Sequence, residues 1–292
     1  MIYTLKNEYY DISISDVGAE IVSIKSPTGY EFMWQGGEGL WSMQAPLLFP
    51  LCGSYADRKY TILGEVRPIA LHGFALSSKF ELLKESSSSL EFVLRANDKT
   101  RESFPFEFEL FVSYSLNGED IRLDAKIKNL SDITMPYMFG WHPGFNLPTS
   151  EGQDIEDYEI DVKTDKLSWT PMSENGVFYT EKAIEYSLTN EAYRLNTKEI
   201  YPNDTMIFKG HKNYAAMSAK GYPYKLVMTW SENLPSLCIW KEPDDNTKFI
   251  CIEPWSDYNT DGINDANFDK RKVESLKAGG EASYFFNLKI TE

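Results

Sequence analysis

Histidine is scarce in this chain, with three in 292 residues. Cysteine is as rare. Cys52, Cys238 and Cys251 are odd in number, widely spaced and set among apolar neighbours, which fits buried free thiols better than a disulfide framework. No apolar run approaches the ~20 residues of a membrane-spanning helix. The opening MIYTLKNEYYDISI lacks the basic and apolar regions of a secretory signal. Basic charge is also short: 29 Lys and Arg face 44 Asp and Glu, for a net charge of −15. That balance argues against nucleic acid and anionic membrane surfaces as partners. These absences lead to the expectation of a soluble, cytoplasmic protein, monomeric or homodimeric, whose partner is a small molecule.

Familiar signatures are missing too. The chain has no G-x-x-x-x-G-K-[ST], no glycine fingerprint after a strand, no H-E-x-x-H, no paired C-x-x-C and no G-x-S-x-G. Nucleotide, flavin and serine-hydrolase chemistries lose their support, and no cofactor or metal is expected.

Aromatic residues are abundant, at 18 Tyr, 17 Phe and 7 Trp. They favour strands and can supply flat apolar platforms for a ligand. Residues 104–128 alternate strictly. Phe104, Phe106, Phe108, Leu110, Val112, Tyr114 and Leu116 share one parity, and after NGED the pattern resumes at Ile121, Leu123, Ala125 and Ile127. Period 2 on both sides of an Asn-Gly turn predicts a hairpin with one buried face. Weaker strand patterns recur in YYDISISDVGAEIVSIKSPTGYEFMW, FELLKESSSSLEFVLRA, YKLVMTW, SLCIWKE, KFICIEPW and ASYFFNLKI. Helices are expected at most as short pieces within 188–196 and 264–277. With no repeat and no linker, residues 1–292 read as a single all-β sandwich domain.

His142 sits in FGWHPGFNLP, stiffened by Trp141 and Pro143, with Gly140 and Gly144 allowing close backbone approach to a ligand. Its bland reading is a histidine satisfied by backbone groups; its sharp reading is a proton donor held in a fixed direction. His72, in IALHGFA, reads equally well as a satisfied histidine near a strand end. His211, in KGHKNY, reads as solvated. Glu253 ends the continuous apolar run FICIEPW, the mark of a strand covered on both faces. A carboxylate there is costly unless it is paired or hydrogen-bonded, so a functional role is favoured over a structural cap. Arg58 and Asp204 do not stand out, since turn arginines are ordinarily surface charges and Asp ordinarily initiates turns. The acidic residues of EPDDN, with Asp257, Asp261 and Asp265, lack the spacing of a calcium loop and read as solvated.

Taken in order, PLLFPLCGSYADRKY, LHGFA, MPYMFGWHPGFNLP, YPNDTMIF and FICIEPWSD resemble the aldose 1-epimerase (galactose mutarotase) family, most closely its LacX-like bacterial branch. The resemblance covers nearly the whole chain. It implies a large antiparallel β-supersandwich with a sugar cleft, His142 as general acid and Glu253 as general base. Arg58, His72 and Asp204 match positions that hold sugar hydroxyls or the ring oxygen. Two departures bear on which sugar is bound: Ser54 and Asp57 replace the usual Arg and Asn, and HGF replaces HGG.

The residue types suit anomer exchange in their own right, because a carboxylate and an imidazole make a complementary base and acid near neutral pH. Negative charge from Glu253 or Asp204 would be needed to keep His142 protonated. Two other classes compete: a non-catalytic carbohydrate-binding protein, and a metal-dependent isomerase using His72, His142 and Glu253 as ligands. Within the favoured class a hexose-6-phosphate epimerase is the variant reading. It would need a basic cluster to offset phosphate desolvation, and only Lys59 and Arg67 lie near Arg58 in sequence. A free aldohexose is therefore the expected substrate. Comparing kcat/KM for glucose and galactose with their 6-phosphates, by polarimetry on fresh anomers, should favour the free sugars. A tenfold preference for a phosphorylated sugar would overturn this.

Overall fold

The hairpin forms where the alternation predicts it. In the computed structural model, Phe108–Asn117 pairs antiparallel with Asp120–Asn129 across Gly118. The structure describes residues 1–147, 154–172, 182–195, 205–242, 248–259, 266–271 and 273–291. The hairpin lies inside a 9-stranded sheet, flanked on one side by Ser89–Arg95 and on the other by Glu281–Thr291. An 8-stranded sheet holds the strands Thr205–Lys209, Ser236–Trp240 and Phe249–Trp255, then the short pieces Gly140–Trp141 and Leu47–Leu48, with Gly144–Asn146 paired beside them.

The sheets differ as their sequences require. Phe108–Asn117 alternates buried and half-buried residues, so one face looks outward. All seven residues of Phe249–Trp255 are buried, because a central strand covered on both faces leaves no outward parity. Aromatic rings join the layers. Trp141 meets Phe286 at 5.2 Å between ring centroids, and Phe139 meets Tyr284 at 4.6 Å. The buried side chains of both sheets form one contiguous core, as the all-β reading expects. Cys52, Cys238 and Cys251 are buried free thiols.

Several expectations need correction. Phe104 and Phe106 precede the hairpin strand, and Phe104 closes a helix, Asp98–Ser103, that periodicity did not reveal. Six residues are too few for a 3.6-residue period to show. What starts this helix is a reciprocal cap, in which the Asn97 side chain accepts from the Thr100 N–H and the Thr100 side chain accepts from the Asn97 N–H. No helix lies within 188–196 or 264–277 among the described residues. Ala192–Arg194 is an edge strand and Glu274–Leu276 pairs with Met135–Tyr137; three-residue strands leave no alternation to read.

His211 is not solvated. It is 9% exposed, its Nε2 lies 3.0 Å from the Pro235 carbonyl oxygen, and its Nδ1 accepts from the Asn213 N–H at 3.1 Å. Burial pushes its pKa down to about 4, below the unfolded value of about 6.5. The stability gained by burying it neutral is full above the unfolded pKa and is lost as pH falls towards 4. His211→Asn should cost stability near pH 7 through the lost hydrogen bond. Because the variant lacks the proton-linked loss of about 1.4 kcal/mol per pH unit, its deficit against wild type should shrink as pH falls from 7 to 5. Urea unfolding at the two pH values checks this; an unchanged deficit would show that the burial does not control the titration.

Candidate active site

Glu253 lies in the middle of the buried strand, paired to Cys238 in register. Side chains two apart on a strand share a face, so Cys251, Glu253 and Trp255 point together. The antiparallel register that sets Gly140 opposite Trp255 and Gly144 opposite Cys251 brings His142 across from Glu253. The His142 Nε2 lies 3.2 Å from a Glu253 carboxylate oxygen, with side-chain exposures of 8% and 1%.

The glycines around His142 are needed for space, although not for a ligand as their pattern suggests. A Cβ on Gly140 would stand 2.5 Å from Trp255, and one on Gly144 would stand 2.6 Å from the Trp41 ring. Those indoles occupy the room and line the cleft. The backbone is fixed as well: the His142 N–H donates to the Pro46 carbonyl at 3.0 Å and the Gly144 N–H donates to Gln44 at 2.7 Å. Glu20, itself buried, holds that partner segment by accepting from the Gln44 and Ala45 N–H groups. The His142 ring stands 5.0 Å from Trp41, 5.6 Å from Trp240 and 5.3 Å from His72. Burial among these rings, reinforced by His72, drives the His142 pKa well below its ordinary value.

His72 is held by a different device. Its φ is 60°, and Gly73 follows at 78°. A Cβ on Gly73 would lie 2.3 Å from the Phe49 carbonyl oxygen, so Gly73 is a backbone requirement. The Gly53 N–H donates to His72 Nδ1 at 3.0 Å, while the His72 N–H donates to the Gly53 carbonyl at 2.9 Å. With Nδ1 accepting, the neutral ring carries its proton on Nε2 and is a donor there. Burial, then the Arg58 guanidinium, pushes its pKa down to about 3. Arg58 donates to the Ser54 hydroxyl at 2.6 Å. The serine that departs from the family pattern thus steers the arginine.

His142, Glu253, His72 and Arg58 line one cleft of about 560 Å³, a size that suits a small ligand. Asp204 lies outside the described residues; Thr205, which follows it, lines the cleft. Two tryptophans of the cleft, Trp41 and Trp240, escaped the sequence reading, whereas Trp255 follows Glu253 in FICIEPW and lines the same corner. Trp41 and Trp240 stand against His142, and the buried Nε1–H of Trp255 has no acceptor among the described residues. Asn259, 1% exposed, was missed too; it accepts from the Ser54 N–H at 3.3 Å. Trp41 carried no local signal, being in a loop pinned through its N–H by Glu242, 201 residues away. A second groove of about 620 Å³ shares Arg58 and Ala70 with the cleft, but neither His142 nor Glu253 lines it.

The metal-binding alternative fares differently from its expected ligand set. Among the described residues, the ligand atoms that converge, within 4.8 Å of one another, belong to His142, Cys251 and Glu253. His72 already spends its Nδ1 on Gly53.

The locked tautomer of His72 is directly measurable. Imidazole nitrogen shifts across the three histidines should show His72 as the neutral Nε2–H form from neutral pH down to about pH 4, since its folded pKa is about 3. An imidazolium signal from His72 at pH 6 would contradict the geometry.

Known proteins resemble this chain in sequence and fold. The family model described as aldose 1-epimerase matches residues 1–289. The plasmid-encoded LacX protein of Lactococcus lactis subsp. lactis is 30% identical over 285 residues, spanning 95% of this chain and 94% of its own. A galactose mutarotase related enzyme from Lactobacillus acidophilus superposes with a TM-score of 0.91 at 30% identity, covering 100% of this chain and 98% of its own. A galactose mutarotase-like protein from Lactobacillus casei shares the fold at a TM-score of 0.90 and 23% identity, with 100% of both chains covered. The chain belongs to the aldose 1-epimerase family.

Proposed function

We propose that this protein interconverts the α and β anomers of a free aldohexose, with Glu253 as general base and His142 as general acid. The observation that carries the reading is the 3.2 Å approach of a buried imidazole to a buried carboxylate in a cleft walled by indoles. A binding module has no need of such a pair, whose desolvation is costly.

The chemistry needs one mobile proton on the pair. Glu253 removes the proton from the C1 hydroxyl while His142 delivers its Nε2 proton to the ring oxygen, and the C1–O5 bond breaks. The aldehyde turns about C1–C2. O5 then attacks the other face of C1, its proton returns to His142, and Glu253 returns a proton to O1. Acid and base end as they began, so no co-reactant is consumed. Burial disfavours the imidazolium at His142, so the mechanism calls on the Glu253 carboxylate, 3.2 Å away, as the counter-charge when the ring takes up its proton.

The remaining groups fit a sugar. His72 offers a neutral Nε2–H donor and Arg58 a permanent positive charge, both suited to oxygens on which charge develops. Trp41, Trp240 and Trp255 give flat faces for the C–H surfaces of a pyranose. Asp204 keeps, in this proposal, the hydroxyl-binding role implied by family resemblance. A free sugar is favoured over a phosphorylated one because the Arg67 guanidinium is committed to Glu65 and to the carbonyls of Arg101 and Glu102. The whole chain acts in this reading as one sandwich unit carrying one cleft.

Glu253→Gln and His142→Asn should each slow mutarotation by ~10²-fold or more, the usual cost of losing an acid–base group. Polarimetry on fresh α-anomers of glucose and galactose, with circular dichroism as a folding control, measures this. A folded variant with near wild-type rates would remove that residue from the mechanism.

A further inference from the structure

The catalytic pair has a neighbour that anomer exchange does not use. Cys251 lies two residues before Glu253 on the same strand face, and the register sets it opposite Gly144. Its Sγ, the His142 ring nitrogen and a Glu253 oxygen lie within 4.8 Å of one another, all three residues buried. Tetrahedral zinc places its ligand atoms roughly 3.5 Å apart, given bond lengths of about 2.0–2.3 Å. Rotations of about an ångström at the side-chain tips would close the triangle around an ion.

We propose that His142, Cys251 and Glu253 form an inhibitory site for a thiophilic divalent ion such as Zn²⁺, entered from the sugar cleft. The charge balance favours it. Cys251 gives its thiol proton to the solvent and binds as thiolate, Glu253 binds as carboxylate and His142 as neutral imidazole. Two negative ligands and one divalent ion leave a centre with no net charge, which avoids the main cost of burying ions. Sulfur and imidazole select zinc-like ions over magnesium and calcium, which prefer oxygen. Because His142 and Glu253 line the cleft, a fourth ligand, water or a sugar hydroxyl, would come from that side.

Such an ion inhibits rather than assists. It occupies the Nε2 lone pair and the carboxylate oxygen that the proton transfers require, so acid and base are both lost while it is bound. It is also a reversible visitor. The His142 Nδ1 has no hydrogen-bond partner among the described residues, whereas resident metal sites fix that nitrogen with an acceptor that strengthens binding by 10–100-fold.

The test uses untagged full-length protein in metal-free buffer. Equilibrium dialysis should find one Zn²⁺ per chain, and Co²⁺ should give a sulfur-to-metal charge-transfer band with four-coordinate visible absorption. Mg²⁺ should do neither. Saturating Zn²⁺ should cut mutarotation at least tenfold, reversed by a chelator. Cys251→Ala and Cys251→Ser should each keep wild-type rates within about twofold without metal, lose the charge-transfer band, and bind Zn²⁺ at least tenfold more weakly. Two substitutions guard against one that misfolds. The inhibitory half rests on the proposed anomer exchange; the dialysis and Co²⁺ spectra do not, so a protein without mutarotase activity could still confirm or sink the site. Absence of stoichiometric Zn²⁺, binding that survives both Cys251 variants, or a rate that rises with Zn²⁺ would each overturn the proposal.

Discussion

A carboxylate and an imidazole, 1% and 8% exposed and 3.2 Å apart, are the constraint around which this protein is arranged. Neither group chooses such a place by its own solvation. Breaking a buried ion pair by removing one partner ordinarily costs several kcal/mol. The scaffold therefore has to hold both without freedom to separate. It does so with a central strand buried along its whole length, with Gly140 and Gly144 in register against it, and with carbonyls of the Gln44–Pro46 segment receiving the His142 and Gly144 N–H groups. Glu20 fixes that segment in turn, so a carboxylate with no place in the cleft still determines where His142 points.

Charge around the pair is divided with some economy. His72 stands 5.3 Å from His142, and two imidazolium rings at that distance would repel in a dry cleft. Burial and then the nearby Arg58 keep His72 neutral, and the Gly53 N–H on Nδ1 fixes its tautomer. Permanent positive charge is left to Arg58, which is exposed and steered by Ser54. Titratable charge is left to His142 and Glu253. The same closeness that sets His142 against Glu253 also brings Cys251 within metal-binding reach, so the proposed chemistry and the proposed inhibition share one geometric cause.

Much of this was legible in the sequence, and the particulars show why. The 108–129 hairpin is local: its turn and its buried parity lie within a few residues of each other. FICIEPW announced a strand covered on both faces, and a glutamate in it raised the question that the cleft answers. His211 misled because its neighbours in sequence are polar, whereas the groups that bury it, Pro235 and Trp230, are 24 and 19 residues downstream. The helix at Asp98–Ser103 and the strand at Ala192–Arg194 were too short for any period to register.

By itself the sequence determined the strand-rich architecture, the burial of the thiols, the stiff setting of His142 and the anomalous position of Glu253. Each follows from chemistry within a few residues, where side-chain parity, turn residues and the cost of a charge among apolar neighbours act directly. Only the tertiary structure decided that His142 faces Glu253, that Trp41 and Trp240 wall the cleft, that His72 carries its proton on Nε2, and that Cys251 completes a triangle with the pair. Those facts depend on register between strands about 110 residues apart and on backbone donors such as Gly53. Such partners leave no mark on the local sequence of the residue they constrain, because folding, and not chain order, brings them within hydrogen-bonding distance.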